Sequence, residues 1–194
     1  MEFDSLIKKR RSVRSFKNKA VSWKRLMDAV DAANQAPSAG SNQNMKYILV
    51  EHPEKIETLA KLADQLWINE AQAVIIVCSD DKQLENLYGE RGRIYSRQQA
   101  GAAIEHILLK ITELGLSACW IGAYDDDMLR SHFGIPESQQ IEAIIPIGYE
   151  KPTARAKAHK EKKKSLSQTV YWEEWGQGNR PALFKEPSIH HEPE

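Results

Sequence analysis

The chain has 194 residues, 41% of them hydrophobic, and its 27 lysines and arginines balance its 27 aspartates and glutamates. This length predicts a single domain with a substantial core, and the balanced charge argues against a nucleic-acid partner. No apolar run approaches the roughly 20 residues that cross a bilayer, and the N-terminal sequence lacks a signal-peptide core. We therefore expect a cytoplasmic protein without a membrane partner.

The first part of the chain predicts three helices and a strand. Residues 2–10 place apolar side chains on one helical face. Ser22 is a suitable cap for a second helix. Residues 46–51, KYILVE, predict a strand, and Pro53 is placed to open a third helix.

In the second part of the chain, the sequence predicts buried strands that alternate with helices. The apolar run at 73–78 predicts a buried strand, and the longest helix follows over 93–115. Residues 117–124 predict a strand that ends in a loop. Asp125 can cap the next helix, and residues 141–149 predict a last buried strand. Four strands between helices indicate an α+β or α/β fold.

Two common nucleotide sites are excluded by their missing motifs. No Gly-x-Gly-x-x-Gly follows a predicted strand, and no Gly-Lys-Ser/Thr loop is present. The two cysteines are too few for a zinc or iron–sulfur site, so we expect no metal centre.

The segment RRSVRSF, residues 10–16, concentrates cations at the end of the first predicted helix. Arginine side chains bind phosphate through two parallel hydrogen bonds, and a serine hydroxyl adds a further donor. The alternative is a solvated cationic helix C-terminus, which the helix dipole favours. The segment alone does not decide between them.

Three further segments have the composition of ligand-binding loops. Residues 36–44, APSAGSNQN, combine small residues with amides, and residues 120–124, WIGAY, place a glycine just after a strand. The basic run at 157–165 could clamp a phosphate, and it lacks the aromatic residues typical of nucleic-acid binding. Each segment could also be an ordinary turn or a solvated surface.

No set of side chains indicates acid–base or nucleophilic catalysis. The sequence has no nucleophilic triad, no paired-histidine metal motif and no clear pair of catalytic carboxylates. We therefore expect no catalytic side chain and predict that a bound cofactor carries the chemistry.

In their order and spacing, these four segments resemble the nitroreductase family of flavin mononucleotide (FMN) enzymes over roughly residues 3–176. The resemblance implies an α+β fold in which helices wrap a central, mostly antiparallel sheet. It also implies an intertwined homodimer with FMN at the interface. We expect one FMN-binding domain over residues 1–176 and a C-terminal arm or tail over 177–194.

The resemblance also implies the cofactor-binding residues. The phosphate and ribityl chain would be held by Arg10, Arg11, Ser12 and Arg14, with Lys163 and Lys164 completing the phosphate site. The other subunit would contribute Pro37, Ser38, Ala39 and Ser41 against the flavin ring. Backbone N–H groups of Ile121, Gly122 and Ala123 would face flavin N5 and O4, and Gln65 would bind the pyrimidine edge.

The sequence departs from the family pattern at the small-residue loop. Many members have asparagine where Ser41 stands, followed by Gln-Pro-Trp where this chain has Gln43, Asn44 and Met45. Asn42 could replace the asparagine by a one-residue shift. The basic run ends in Lys-Ser where Lys-Pro is common.

The function implied is an FMN-dependent NAD(P)H oxidoreductase. NADH or NADPH would deliver hydride to flavin N5, and an electron-poor small molecule, nitroaromatic or quinone-like, would then be reduced on the same face by a ping-pong mechanism. One alternative is a narrow metabolite chemistry, such as dehalogenation, enoate reduction or flavin fragmentation. Another is a non-catalytic FMN-binding or storage protein. Members with narrow substrates often carry lid insertions, for which residues 81–95 are the candidate.

Overall fold

The computed structural model describes residues 2–152 and 164–181. The chain divides into two compact units, residues 1–156 and 157–194. The predicted domain boundary at residue 176 stays a prediction.

The described part of the first unit contains six α-helices and four β-strands. The helices are α1 Phe3–Lys9, α2 Trp23–Asn34, α3 Pro53–Leu62, α4 Asp81–Tyr88, α5 Arg91–Glu113 and α6 Asp126–Phe133. The strands are β1 Met45–Val50, β2 Ala73–Asp80, β3 Ser117–Ala118 and β4 Gln139–Gly148. No helix among the described residues is both long enough and apolar enough to cross a membrane.

The four strands form one antiparallel sheet in the order β1-β2-β4-β3. The central strands β2 and β4 are buried along most of their length. Ile75 lies opposite Ile145, and the register shifts between Val77 and Cys78. The predicted α+β class with an antiparallel sheet is therefore confirmed.

Both faces of the sheet are covered by helices. On one face, Ile75 and Ile145 pack in a cluster with Leu26 of α2 and Ile104 of α5. On the other face, Ile76 packs in a cluster with buried residues of α3 and α6. Because successive strand residues point to opposite faces, fully apolar strands such as β2 can supply both clusters. This explains the unbroken apolar run in the sequence.

Most predicted helix boundaries are confirmed by their caps. Pro53 is the first residue of α3, and the Asp125 carboxylate accepts the backbone N–H of Met128 over 2.9 Å at the start of α6. Ser22 occupies the N-cap position of α2 but makes no side-chain capping hydrogen bond. The predicted capping bond of Ser22 is therefore wrong, although the helix starts where expected.

One predicted strand is shorter in the structure. The strand expected over 117–124 is reduced to Ser117–Ala118, followed by a single bridge between Ile121 and Ile144. Residues 81–95, the candidate lid, form α4 and the start of α5. These two helices pack so closely that a Cβ at Gly92 would lie 2.4 Å from the Leu84 backbone.

The described part of the second unit begins with a short 3₁₀ turn at Leu166–Gln168. Ser165 and Gln168 form a reciprocal capping box at this turn. The rings of Tyr171 and Trp175 lie 4.8 Å apart. The described part of the second unit therefore includes a local aromatic contact.

Candidate functional site

The arginine-rich segment, residues 10–16, lies along the sheet. Val13 donates its backbone N–H to the Ala118 carbonyl oxygen over 3.0 Å, and Ser12 and Ala118 form a parallel bridge. Further along, Lys17 donates its N–H to the Tyr149 carbonyl oxygen over 2.7 Å. These backbone bonds fix the segment beside β3 and the end of β4.

Phe16 anchors this segment through its buried side chain. Its side chain is only 3% exposed and lies 6.4 Å from the ring of Trp67. A Cβ at Gly148 would approach the Phe16 ring to 2.9 Å, so the absence of a side chain at Gly148 makes room for the ring. Glu70 adds a second anchor, since its carboxylate accepts the Phe16 N–H over 2.9 Å.

The three arginines of the segment differ in their partners. Arg10 lies 3.4 Å from Glu105 of α5, and Arg11 forms an ion pair with Glu150. Arg14 is exposed and has no carboxylate partner among the residues described. Arg14 is therefore the cation of this segment that is most available to an external anion.

The helix-end interpretation of these arginines fits only Arg10. Helix α1 ends at Lys9, and Arg10 is its C-cap. Helix-dipole interactions fade beyond the last turn, and Arg14 lies four residues past the cap. The dipole of α1 therefore does not explain the position of Arg14.

Cys119 joins the arginine segment to the loop after β3. Its thiol is 2% exposed and interacts with both Ser12 and Arg14. Burial raises the pKa of the Cys119 thiol, and the Arg14 charge opposes that rise. The structure thus brings Ser12, Arg14 and the segment at 119–123 together.

The loop at 121–123 presents backbone donors. Ile121 is held on the sheet by two 3.0 Å backbone hydrogen bonds with Ile144. Gly122 and Ala123 are exposed, and no acceptor among the described residues takes their N–H groups. Space beside Gly122 is open, because a Cβ there would meet no atom within 4 Å. A planar ligand could approach this backbone closely.

The small-residue loop is a compact turn before β1. Gly40 and Ser41 both have positive φ, 54° and 60°. The Asn42 side chain turns back to donate to the Gly40 carbonyl oxygen over 2.9 Å. Ser41 is exposed, so Ser41 rather than Asn42 presents a free side chain to the surroundings.

The structure does not join this loop to the arginine segment within one chain. In residues 2–152, no hydrogen bond or ion pair connects residues 37–42 with residues 10–14 or 121–123. Pro37 and Ser41 are exposed, and Ser38 and Ala39 are half-buried. Apart from Gln65, the predicted cofactor residues of the first unit therefore form two separate groups.

A groove of about 750 Å³ continues from the arginine segment. Its lining includes Phe16, Lys17, Asn69, Glu70, Gln72 and Lys151. The sequence predictions do not include this groove, since most of its lining lies outside the four segments singled out in the sequence. Phe16 belongs to the arginine-rich segment, whereas Asn69, Glu70 and Gln72 come just before the buried strand β2.

The other predicted cofactor residues are Gln65, Lys163 and Lys164. The Gln65 side-chain oxygen accepts the Trp67 indole N–H over 3.1 Å, so part of its capacity is used within the chain. Lys163 lies outside the described residues. Lys164 is exposed in the second unit.

Comparison with known proteins identifies one family. The model of the nitroreductase family matches residues 7–74 and 59–149. A protein of Archaeoglobus fulgidus named "Putative NADH dehydrogenase/NAD(P)H nitroreductase" is 32% identical over 152 residues, which cover 75% of this chain and 84% of that protein.

Two further relatives are informative. An iodotyrosine deiodinase of Thermotoga neapolitana is 24% identical over 160 residues, covering 74% of this chain and 86% of that protein. The solved structure of an FMN-dependent nitroreductase from Clostridium difficile is 26% identical, with a TM-score of 0.68. It covers 78% of this chain and 89% of the other.

Proposed function

The chain belongs to the nitroreductase family, and from this premise we propose that it is an FMN-dependent oxidoreductase that takes hydride from NADH or NADPH. The main support is that Ser12 and Arg14 lie close to Cys119, in the same short segment as the exposed Gly122 and Ala123. A cationic side chain and free backbone donors there suit a ligand with a phosphate at one end and a polar heterocycle at the other. The name of the Clostridium difficile nitroreductase agrees with this cofactor, and that of the Archaeoglobus fulgidus relative agrees with the hydride donor.

Phosphate binding is assigned first to Arg14 and Ser12. Arg14 has no carboxylate partner among the described residues, whereas Arg10 and Arg11 are paired with Glu105 and Glu150. A guanidinium can hold a phosphate by two parallel hydrogen bonds, so Arg14 is the primary anchor. Arg10 and Arg11 supply supporting charge, and Lys163 and Lys164 are proposed to complete the site.

Ring binding is assigned to the backbone at 121–123 and to the groove. The hydrogen bonds of Ile121 to Ile144 hold the loop rigid, so the N–H groups of Gly122 and Ala123 are oriented before a ligand arrives. Asn69 and Gln72 line the groove and offer amide donors and acceptors. They are additional candidates for the pyrimidine edge beside Gln65.

The protein's contribution to the chemistry is electrostatic and positional. FMN, when bound, supplies the acceptor and donor of the hydride at N5. The amides of Gly122 and Ala123 stabilise negative charge that develops near them, because fixed donors need no reorganisation. The buried Cys119 has a raised pKa, so it offers a neutral thiol beside the site and not a nucleophile.

We propose that the complete site forms in a homodimer. Among residues 2–152, no hydrogen bond or ion pair joins residues 37–42 to residues 10–14 or 121–123, so a partner subunit is the natural source of this loop. Helix α1 buries none of its residues. Phe3, Trp23, Leu87 and Ile94 are each more than half exposed, and they supply apolar surface for association. The predicted cytoplasmic location is kept as a proposal.

The acceptor is proposed to be an electron-poor nitroaromatic or quinone-like molecule, reduced on the same ring face that receives hydride. The similarity to an iodotyrosine deiodinase supports the alternative of a narrow dehalogenating activity. However, residues 81–95 pack as helices against each other, not as a loose insertion. This packing favours the broader activity.

Steady-state kinetics on FMN-loaded protein test this proposal. NADH or NADPH is varied at several concentrations of a quinone, a nitroaromatic and an iodinated phenol. Parallel double-reciprocal lines with the quinone or nitroaromatic are expected for ping-pong turnover at one shared face. Converging lines would exclude the shared face, and turnover of the iodinated phenol alone would favour the alternative.

A further inference from the structure

Gln99, on α5, makes three hydrogen bonds to the small-residue loop and its continuation. Its side-chain oxygen accepts the Ala39 N–H over 2.7 Å. Its side-chain nitrogen donates to the Asn42 carbonyl oxygen over 3.1 Å and to Asn44 Oδ1 over 2.8 Å. Both ends of the amide are therefore used, and both hold the same short segment.

Asn44 extends this connection along α5 and to the end of β2. It is 1% exposed, and its Nδ2 donates to Ser96 Oγ over 2.8 Å and to the Asp80 carbonyl oxygen over 3.2 Å. The loop is thus tied to α5 at Gln99 and Ser96 and to the end of β2. We call Gln99, Asn44 and Ser96 the amide clasp.

The loop needs such support because its backbone is unfavourable on its own. Ser41 has a φ of 60°, which costs free energy for a residue with a side chain. The residues at 38–41 are small and contribute little packing. A buried, fully used amide can hold a strained turn, since a lost partner would leave buried polar groups unsatisfied.

We propose that Gln99 is a positioning residue for cofactor binding. It fixes the backbone at Ala39 and Asn42, so that the exposed face at Pro37 and Ser41 is presented in one conformation to the flavin of the partner subunit. This inference rests on the proposed function. Gln99 itself is buried, 6% exposed, and acts through the loop.

The test substitutes Gln99→Met, which keeps the side-chain length and removes all three hydrogen bonds. Gln99→Asn is a second variant, which keeps the amide but is too short to span the same partners. Thr112→Val is the matched control, because Thr112 is a buried polar residue of the same helix whose hydroxyl donates to the Leu108 carbonyl oxygen. Hydrogen exchange of residues 36–45 is measured in FMN-free protein, followed by the FMN Kd and the visible circular dichroism of bound FMN.

The expected result is at least about tenfold faster exchange at Ala39, an FMN Kd raised at least about tenfold and an altered visible dichroism in both Gln99 variants. Thr112→Val should match the wild type in all three. Unchanged Kd and dichroism in the Gln99 variants, with a wild type that binds FMN, would overturn the inference and leave the proposed function standing. A wild type that binds no FMN would overturn both.

Discussion

Val13 donates its backbone N–H to the carbonyl oxygen of Ala118 over 3.0 Å. This bond ties the arginine-rich segment near the start of the chain to β3, which follows the longest helix. Ser12 and Arg14 lie close to Cys119, which comes three residues before the exposed Gly122 and four before the exposed Ala123. The proposed phosphate and ring contacts therefore come from neighbouring parts of the fold.

The first prediction concerns the arginines. Arg14→Met should raise the FMN Kd by about 10- to 100-fold, since a hydrogen bond between charged groups contributes about 1.5–3 kcal/mol. Arg11→Met should have a smaller effect, because Arg11 is already paired with Glu150. Fluorescence titration of FMN measures both. An equal increase of the FMN Kd in the two variants would contradict the larger role given to Arg14.

The second prediction concerns the open space beside Gly122. A side chain fits there without a clash, so Gly122→Val should leave the Tm of the FMN-free protein within a few degrees of the wild type. The same side chain would occupy the space assigned to the ring, and FMN affinity should fall at least about tenfold. Unchanged affinity, measured by the same titration, would place the ring elsewhere.

The third prediction concerns stability at high pH. Burial raises the pKa of Cys78 from 9.0 to about 11 and that of Tyr47 from 10.0 to about 12. In each case the folded state holds its proton more tightly than the unfolded state. The resulting stabilisation of the folded state is fully present below the pKa that the group has in the unfolded state. It is lost as pH rises through the pKa that the group has in the folded state.

Urea unfolding at pH 8, 9, 10 and 11 should therefore show a free energy of unfolding that falls steadily above about pH 9. Cys78→Ala is the control. This variant is less stable overall, but its free energy of unfolding should fall less between pH 9 and 10 than that of the wild type. A wild-type stability that is flat to pH 11 would contradict the buried, neutral state of these groups.

The fourth prediction concerns the shared site. Arg14→Glu damages one binding group, and Ser41→Glu places a charge in the other. If the loop serves the partner subunit, a mixed dimer with one variant in each chain contains one doubly damaged site and one intact site. Such a dimer should bind FMN with wild-type affinity at half the normal stoichiometry.

Differently tagged chains that are co-expressed and purified through both tags provide this mixed dimer. The two variant homodimers are the controls, and neither should contain a tight site. If a mixed dimer also lacks a tight site, each loop serves its own chain.

Much of the fold could be predicted from the sequence because local signals and burial agree. The apolar run of β2, the proline at the start of α3 and the aspartate cap of α6 each have one simple structural meaning. The strand predicted over 117–124 is longer than the observed strand, because here the local propensity and the path of the chain disagree. Its residues have strand propensity, but the chain leaves the sheet after Ala118 except at Ile121.

The site was predicted less completely, because its geometry depends on contacts between distant segments. The RRSVRSF motif points to its arginines as candidate phosphate ligands but cannot show that Glu105 and Glu150 pair with two of them. Nor could it show the amide clasp, since Gln99 lies in an otherwise ordinary helical sequence. The resemblance to the nitroreductase family was confirmed, whereas the individual roles of the site residues stay predictions.

The most direct test of the central proposal is the absorbance of the FMN-loaded protein before and after anaerobic addition of NADH or NADPH. The proposed function predicts a flavin band near 450 nm that bleaches within the time of mixing with at least one of the two donors. A band that persists with both would mean that the protein carries FMN without accepting hydride from NAD(P)H. That result would contradict its assignment as an NAD(P)H oxidoreductase.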